Sequence, residues 1–445
     1  MDIIGLLPSF GGFVFTVIAF VVALSVIVAI HEYGHYIVGR WCGIHAEVFS
    51  LGFGPVLWSR HDKDGTRWQI AALPFGGYVK FVGDSGAASG KDGETMEAMS
   101  DEERRHTMHG APLWARSATV AAGPVFNFIL SFLIFASVFA YQGVAIEPLT
   151  IGQLRAHPAQ TETLKVDDQI LSIAGIETPP LEEFDTLVEE LPNEPELEYE
   201  VLRDGERVTV IAPYPYPPAV VTLQPQSAAM DAGLEVGDVI LSVGSARIAT
   251  FEELKEIVGA SDGQPLVLNI WREGDVFDLT LTPRRRDLPL ADGGFETRWL
   301  IGITGGLLFE PQTERVGVFT ALGGGVTQTY AIVRSSLSGL YHMAIGAISS
   351  CNISGPIGIA QASGAMASQG LQSFIWFVAV LSTAIGMLNL FPIPVLDGGH
   401  LVFYAYEAVT GKPPNEKALR ILMAIGLSLL LTLMVFAISN DVFCQ

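Results

Sequence analysis

The sequence predicts a polytopic α-helical membrane protein, with four transmembrane helices, a membrane-associated β-sheet and two inserted β-rich units. Three observations carry that expectation. Mean hydropathy is +0.40 and only 16% of the 445 residues are charged, a profile that suits a membrane protein with soluble inserts. Four stretches reach the roughly 20 apolar residues that a bilayer crossing needs. Between the second and third of them two segments echo each other, "LKVDDQILSIAG" from Leu164 and "LEVGDVILSVGS" from Leu234.

Span one covers about Gly11 to Ile30, with no charge between Ile3 and Ile30. Its head carries Asp2 but no Lys or Arg, and no convincing small-residue cleavage site follows, so it reads as a retained span. Span two lies between Ser117 and Tyr141, span three at about Leu371 to Leu390, and span four at about Ile421 to Ser439. Lys and Arg near span ends set orientation. The loop after span one carries Arg40, Arg60, Lys63, Arg67, Lys80, Lys91, Arg104 and Arg105, and the loop after span three carries Lys412, Lys417 and Arg420. Both chain ends carry none, so both termini are expected outside and both of these loops in the cytosol. The long segment from Gln142 to Gly370 is then external.

Within the first loop, "EVFSLGFGPVLWSRHDKDGTRWQIAALPFGGYVKFVG" alternates like strands, with Asp64-Gly65 as a turn signal. Gly52, Gly54, Gly76 and Gly77 fit bulges or close backbone approach. From Thr313 to Met366 a Gly- and Ser-rich stretch is expected to form an amphipathic helix on the outer surface, without making a fifth span.

Each echo in the external segment is followed by a short amphipathic helix, "LEEFDTLVEEL" or "FEELKEIVG". A hairpin comes next, turning at Asp204-Gly205 or Glu273-Gly274. The second copy resembles a PDZ domain through Ser227, Ala228, Ala229, Ala232, Gly233, Leu234, Gly237, Asp238 and Ile240. PDZ domains capture a peptide by adding it as a strand to a sheet edge, so the resemblance implies a peptide C-terminus as partner. In the first copy Asp167 replaces the glycine and Glu162-Thr163 replaces Ala-Gly, which erodes that expectation. The resulting plan, with boundaries counted on the sequence, runs as follows: 1–36 first span; 37–111 membrane-associated sheet and loop; 112–142 second span; 143–214 eroded PDZ-like unit; 215–285 second PDZ unit; 286–368 linker and amphipathic helix; 369–400 third span; 401–418 cytosolic loop; 419–445 fourth span and tail.

Charge and cysteine spacing narrow the reading further. A net charge of −22 with no basic stripe argues against a nucleic-acid partner. Cys42, Cys351 and Cys444 lie far apart with no CxxC, so three free thiols are expected and no disulfide framework.

The chemistry begins where the first span ends, in "HEYGH". His31 and His35 stand at i and i+4, on one helix face about a turn apart. That spacing suits two ligands of a tetrahedral Zn²⁺, and Glu32 between them can act as general base. Ionisable residues at membrane depth are costly and are usually functional. A catalytic zinc needs a third ligand and an open position for water. Trp41 stands six residues after His35, where a compact motif would have a histidine, and His45 falls off the spacing. "NLFPIPVLDGGH", Asn389 to His400, offers the distant candidate Asp397 at the cytosolic end of span three. Pro392 and Pro394 break the helix there, and irregular backbone at that depth should line a cavity. His400 and Glu407 are the competitors, and a helix-capping aspartate is the alternative role for Asp397.

"HEYGH", "AAGPVFN" in the second span, "NISGP" from Asn352 and "LNLFPIPVLDGGH" together resemble the site-2 protease family. The inserted PDZ-like pair points to its branch of sigma-E regulators. The resemblance implies an intramembrane zinc metalloendopeptidase of a bacterial inner membrane, with periplasmic termini and an active site near the cytosolic side. It implies zinc on His31, His35 and Asp397, Glu32 as base, and Asn389 near the reaction. It implies single-span membrane proteins as substrates, a trimmed anti-sigma factor and remnant signal peptides among them, with the lipid bilayer as surroundings. Two rival readings remain. A non-catalytic PDZ membrane scaffold predicts no metal, and a zinc transporter predicts metal flux with a dispensable Glu32.

Overall fold

A computed structural model describes residues 12–84, 99–159, 163–290 and 294–443. The chain divides into two compact units, one of residues 1–138, 322–340 and 350–445, the other of residues 139–321 and 341–349. The beginning of span one at Gly11, Lys91, Glu162 and Cys444 lie outside the described residues.

The first unit holds four helices long and apolar enough to cross a membrane: α1 (Phe13–Trp41), α2 (Leu113–Gln142), α8 (Leu371–Asn389) and α10 (Glu416–Phe443). They coincide with the four expected spans. At 1.5 Å per residue the 29 residues of α1 run about 43 Å, longer than the roughly 30 Å hydrocarbon core. Between α1 and α2 lies a long hairpin of β1 (Ala46–His61) and β2 (Arg67–Phe81), turning where Asp64-Gly65 predicts. The inner half of β1 is flanked on both sides: Val48 faces Lys80 and Arg67, and Leu51 faces Gly77 and Ile70. Its outer half, from Val56 to His61, faces only the stretch from Arg67 to Ala71. That half is therefore an edge among the described residues, and Val56, Leu57 and Trp58 on it are exposed.

The second unit contains the repeat. Its first copy builds a four-stranded sheet from β3 (Gln169–Ile173), β4 (Ile176–Glu177), β5 (Glu196–Arg203) and β6 (Glu206–Pro213), with α3 (Phe184–Glu190). Its second copy uses β7 (Val239–Val243), β8 (Ala246–Arg247), β9 (Leu266–Arg272) and β10 (Asp275–Leu281), with α4 (Ala228–Ala232) and α5 (Phe251–Gly259). Strand order is the same, β4-β3-β5-β6 and β8-β7-β9-β10. A shared ion pair fixes the same corner in each: Arg203 grips Asp168 and donates to the Thr163 carbonyl, and Arg272 grips Asp238 and donates to the Gly233 carbonyl. Asp167 adopts φ +72 where its counterpart Gly237 has φ +98. The substitution thus keeps the left-handed turn, which Asp tolerates better than most residues.

The stretch from 286 to 312, expected as part of a linker, completes both copies. Ile301 and Ile303 join the second core, while Leu308 and Phe309 are buried in the first. This pairing across distant sequence carries no local signal.

The segment from Thr313 to Met366 forms two helices and not one: α6 (Val318–Ala344) and α7 (Pro356–Ser368). Gly355-Pro356 restarts the chain as a new helix. The small residues Gly358, Ser363 and Gly364 are buried, and a Cβ on Gly364 would lie 2.5 Å from Thr16 Oγ1. So α7 packs against α1, as small residues allow between membrane helices. Asp441, at the end of α10, accepts from the N–H groups of Gly355, Ile357 and Gly358 and so caps α7. The expectation of three free thiols is corrected here. Cys351, beside this cap, is disulfide-bonded, whereas Cys42 is free. Sequence separation says nothing about which residues meet in space.

Candidate metal centre

His31 and His35 come from the C-terminal half of α1, and Asp397 is the first residue of α9 (Asp397–Thr410). Their ligand atoms all lie within 4.8 Å of one another, and they are the one such group of three among the described residues. His31 Nε2 stands 3.2 Å and His35 Nε2 3.5 Å from Asp397 Oδ2. Asp397 Oδ2 is buried without a satisfactory hydrogen bond. A buried carboxylate oxygen left so, facing two imidazole nitrogens, suits a cation that takes lone pairs from all three. The donor set fits zinc.

Two features of the chain bring these groups together. In α9, the Gly398 Cα sits against the Leu390 and Phe391 carbonyls, and the Gly399 Cα against the Ile393 carbonyl. A Cβ at either would push the first turn of α9 off that backbone and carry Asp397 away. Pro392 and Pro394 keep the intervening segment irregular.

In α2, Thr119, Gly123, Asn127 and Ser131 stand four residues apart and form one buried face. The Thr119 carbonyl lies 2.8 Å from His35 Nδ1 and accepts its proton. That leaves His35 Nε2 with a lone pair for a metal. The Asn127 amide lies against His31, with Nδ2 3.2 Å from Nδ1. Its Oδ1 has no hydrogen-bond partner. An imidazole that ligates through Nε2 carries its proton on Nδ1. A half-turn of the amide then lets Oδ1 accept that proton. Asn127→Leu is therefore expected to weaken zinc binding roughly 10- to 100-fold, and Asn127→Asp to retain it, as read by chelator competition.

Gly123 is the tightest point. A Cβ there would overlap His35 Nε2 and lie 2.5 Å from His35 Cε1 and 2.8 Å from His31 Cε1. Gly123→Ala raises helix propensity by about 1 kcal/mol, so α2 should persist. Both imidazoles must move, however, and zinc content is expected to fall to background. Normal zinc in a folded Gly123→Ala protein would refute this packing.

The other expected site residues sort as follows. Glu32 is half-buried between α1 and the sheet, where a Cβ on Gly77 would come 3.1 Å from its Cγ. Asn389 is the last residue of α8, and its side chain makes no hydrogen bond within the described residues. Glu407 is not a ligand competitor: it takes a bidentate ion pair from Arg116, with distances of 2.6 and 3.1 Å. This pair joins α9 to α2. His400 lies outside the three-residue group and stacks edge-on with Phe403. The roles of Thr119, Gly123 and Asn127 were not foreseen. The available signal was their spacing of four within an apolar span.

A helical membrane unit carrying an HExxH pair closed by an aspartate at the start of the helix that follows the third span defines a membrane zinc metalloprotease. The chain belongs to peptidase family M50, whose family pattern matches residues 19–433. It is 37% identical over 430 residues to a zinc metalloprotease homologue of Rhizobium meliloti, covering 96% of both chains. It is 32% identical to the regulator of sigma E protease of Haemophilus influenzae, covering 96% of this chain and 99% of that one. It is also 32% identical to the protease RseP of Yersinia pestis, covering 95% and 97%. The protein is a zinc metalloprotease.

Proposed function

We propose that the chain performs regulated intramembrane proteolysis, cutting single-span membrane proteins within the span. The observation that carries this reading is the convergence of His31 and His35, from the first apolar span, with Asp397, from the helix that follows the third. In this reading those three residues hold the zinc. When bound, the metal supplies a polarised water and a Lewis acid for the carbonyl. Glu32 takes the proton from that water on a carboxylate oxygen and returns it to the leaving amine nitrogen. The Asn389 amide, uncommitted elsewhere, donates to the developing oxyanion. A helical substrate hides its scissile carbonyl in its own hydrogen bonds, so it must unwind. The outer half of β1 is an edge on which an extended strand can add.

The charge count supports periplasmic termini and a site nearer the cytosolic face. The Cys351 disulfide agrees, since disulfides persist in oxidising compartments. The repeat between the second and third spans is suited to exclude bulky ectodomains, with trimmed anti-sigma factors and remnant signal peptides as the substrate class. An untrimmed substrate cut as fast as a trimmed one would remove that part of the reading.

The test of the whole is a purified chain incubated with a tagged single-span peptide, with products mapped by mass. Cleavage inside the apolar span is expected. Cleavage confined to the polar flanks would overturn it.

A further inference from the structure

The tip of the β1–β2 hairpin carries a second feature, apart from the metal centre. A cavity of about 480 Å³ is lined by Trp58, Arg60, His61, Asp62, Lys63 and Trp68. Both carboxylates at this tip are engaged. Asp62 accepts from Tyr36 Oη, Trp68 Nε1 and the N–H groups of Asp64 and Thr66. Asp64 pairs with Arg40 at 2.5 Å. Arg60 and Lys63 are exposed and have no carboxylate partner among the described residues. In a chain of net charge −22, the cavity is left locally positive.

Its depth in the membrane is set by the same bonds. Tyr36 and Arg40 belong to the last turns of α1, so the tip is tied to the end of the first span. Trp41 at the end of α1 is 73% exposed, and Trp114 at the start of α2 is 66% exposed. Exposed tryptophans at span ends mark the headgroup level of a bilayer. The exposed Val56 and Leu57 continue from the cavity along the sheet edge.

We infer that this cavity binds the phosphate headgroup of an anionic phospholipid of the adjacent leaflet. Arg60 offers the planar fork that matches phosphate oxygens, and Lys63 adds a point charge. Trp58 and Trp68 flank the glycerol, and the acyl chains run along Val56 and Leu57. A lipid seated there braces the outer half of β1 against the end of α1. The inference rests on the membrane spans and stands whether or not the proposed substrates are right.

The test uses the full chain in detergent, with lipid retention read by native mass spectrometry. Phosphatidylglycerol is expected to outlast phosphatidylcholine, with a preference of about fivefold per basic group and roughly 25-fold for both. The double substitution Arg60→Gln with Lys63→Gln should abolish the preference, and the exchange Arg60→Lys with Lys63→Arg should keep most of it. Equal zinc in all three proteins shows that they are folded. Equal retention of the two lipids by the parent, or an unchanged preference in the Gln variant, would overturn the inference. Displacement of the lipid by millimolar inorganic phosphate would also overturn it, showing that the cavity reads a free anion.

Discussion

Glu32→Gln is expected to abolish cleavage while leaving zinc bound. Glutamine has nearly the size and shape of glutamate, so the room that Gly77 leaves beside this side chain still fits it. None of the three grouped ligand atoms is touched. What disappears is the carboxylate that accepts a proton. General-base catalysis contributes on the order of 10²- to 10⁴-fold, or roughly 3–5 kcal/mol of barrier. Cleavage of a single-span peptide should fall by that factor, with zinc per chain unchanged. Unaltered cleavage would remove Glu32 as the base and require another proton acceptor at the site.

Asp397→Ala is expected to behave in the opposite way, losing the metal first. Asp397 is the first residue of α9, where a carboxylate favours the helix dipole by only about 0.3–1 kcal/mol. The helix should therefore survive. The loss of a direct ligand should exceed the 10- to 100-fold in affinity that outer partners supply. Zinc content and activity should drop together. A protein that keeps full zinc after this substitution would reduce Asp397 to a helix cap. The contrast between the two variants separates the group that moves a proton from the group that holds the ion.

Much of this was legible before any coordinates. Apolar length located the four spans, because a bilayer imposes a hard minimum. The i, i+4 histidines of α1 put two ligands on one face by helix geometry alone. The turns at Asp64-Gly65, Asp204-Gly205 and Glu273-Gly274 were readable because a tight hairpin demands positive φ, and Gly65, Asp204, Gly205, Glu273 and Gly274 all have it.

What escaped was set by contacts between distant segments. Thr119 and Asn127 serve the imidazoles through a carbonyl and a side-chain amide that belong to another helix. Glu407 stood as a competitor to Asp397 until Arg116, 291 residues away, claimed its carboxylate. The stretch near Leu308 read as linker because its partners, around Ile151, lie far upstream. The Cys351 disulfide was hidden for the same reason. In the Thr313 to Met366 segment the small residues were visible, but not that they press α7 onto α1.

The most direct measurement is X-ray absorption spectroscopy at the zinc edge on the purified Glu32→Gln protein, with metal content determined on the same sample. The account predicts near-stoichiometric zinc with two imidazole nitrogens at about 2.0 Å, the remaining ligands being oxygen and none sulfur. A third imidazole would put His400 in place of Asp397. A sulfur ligand, or no zinc at all, would contradict the site itself.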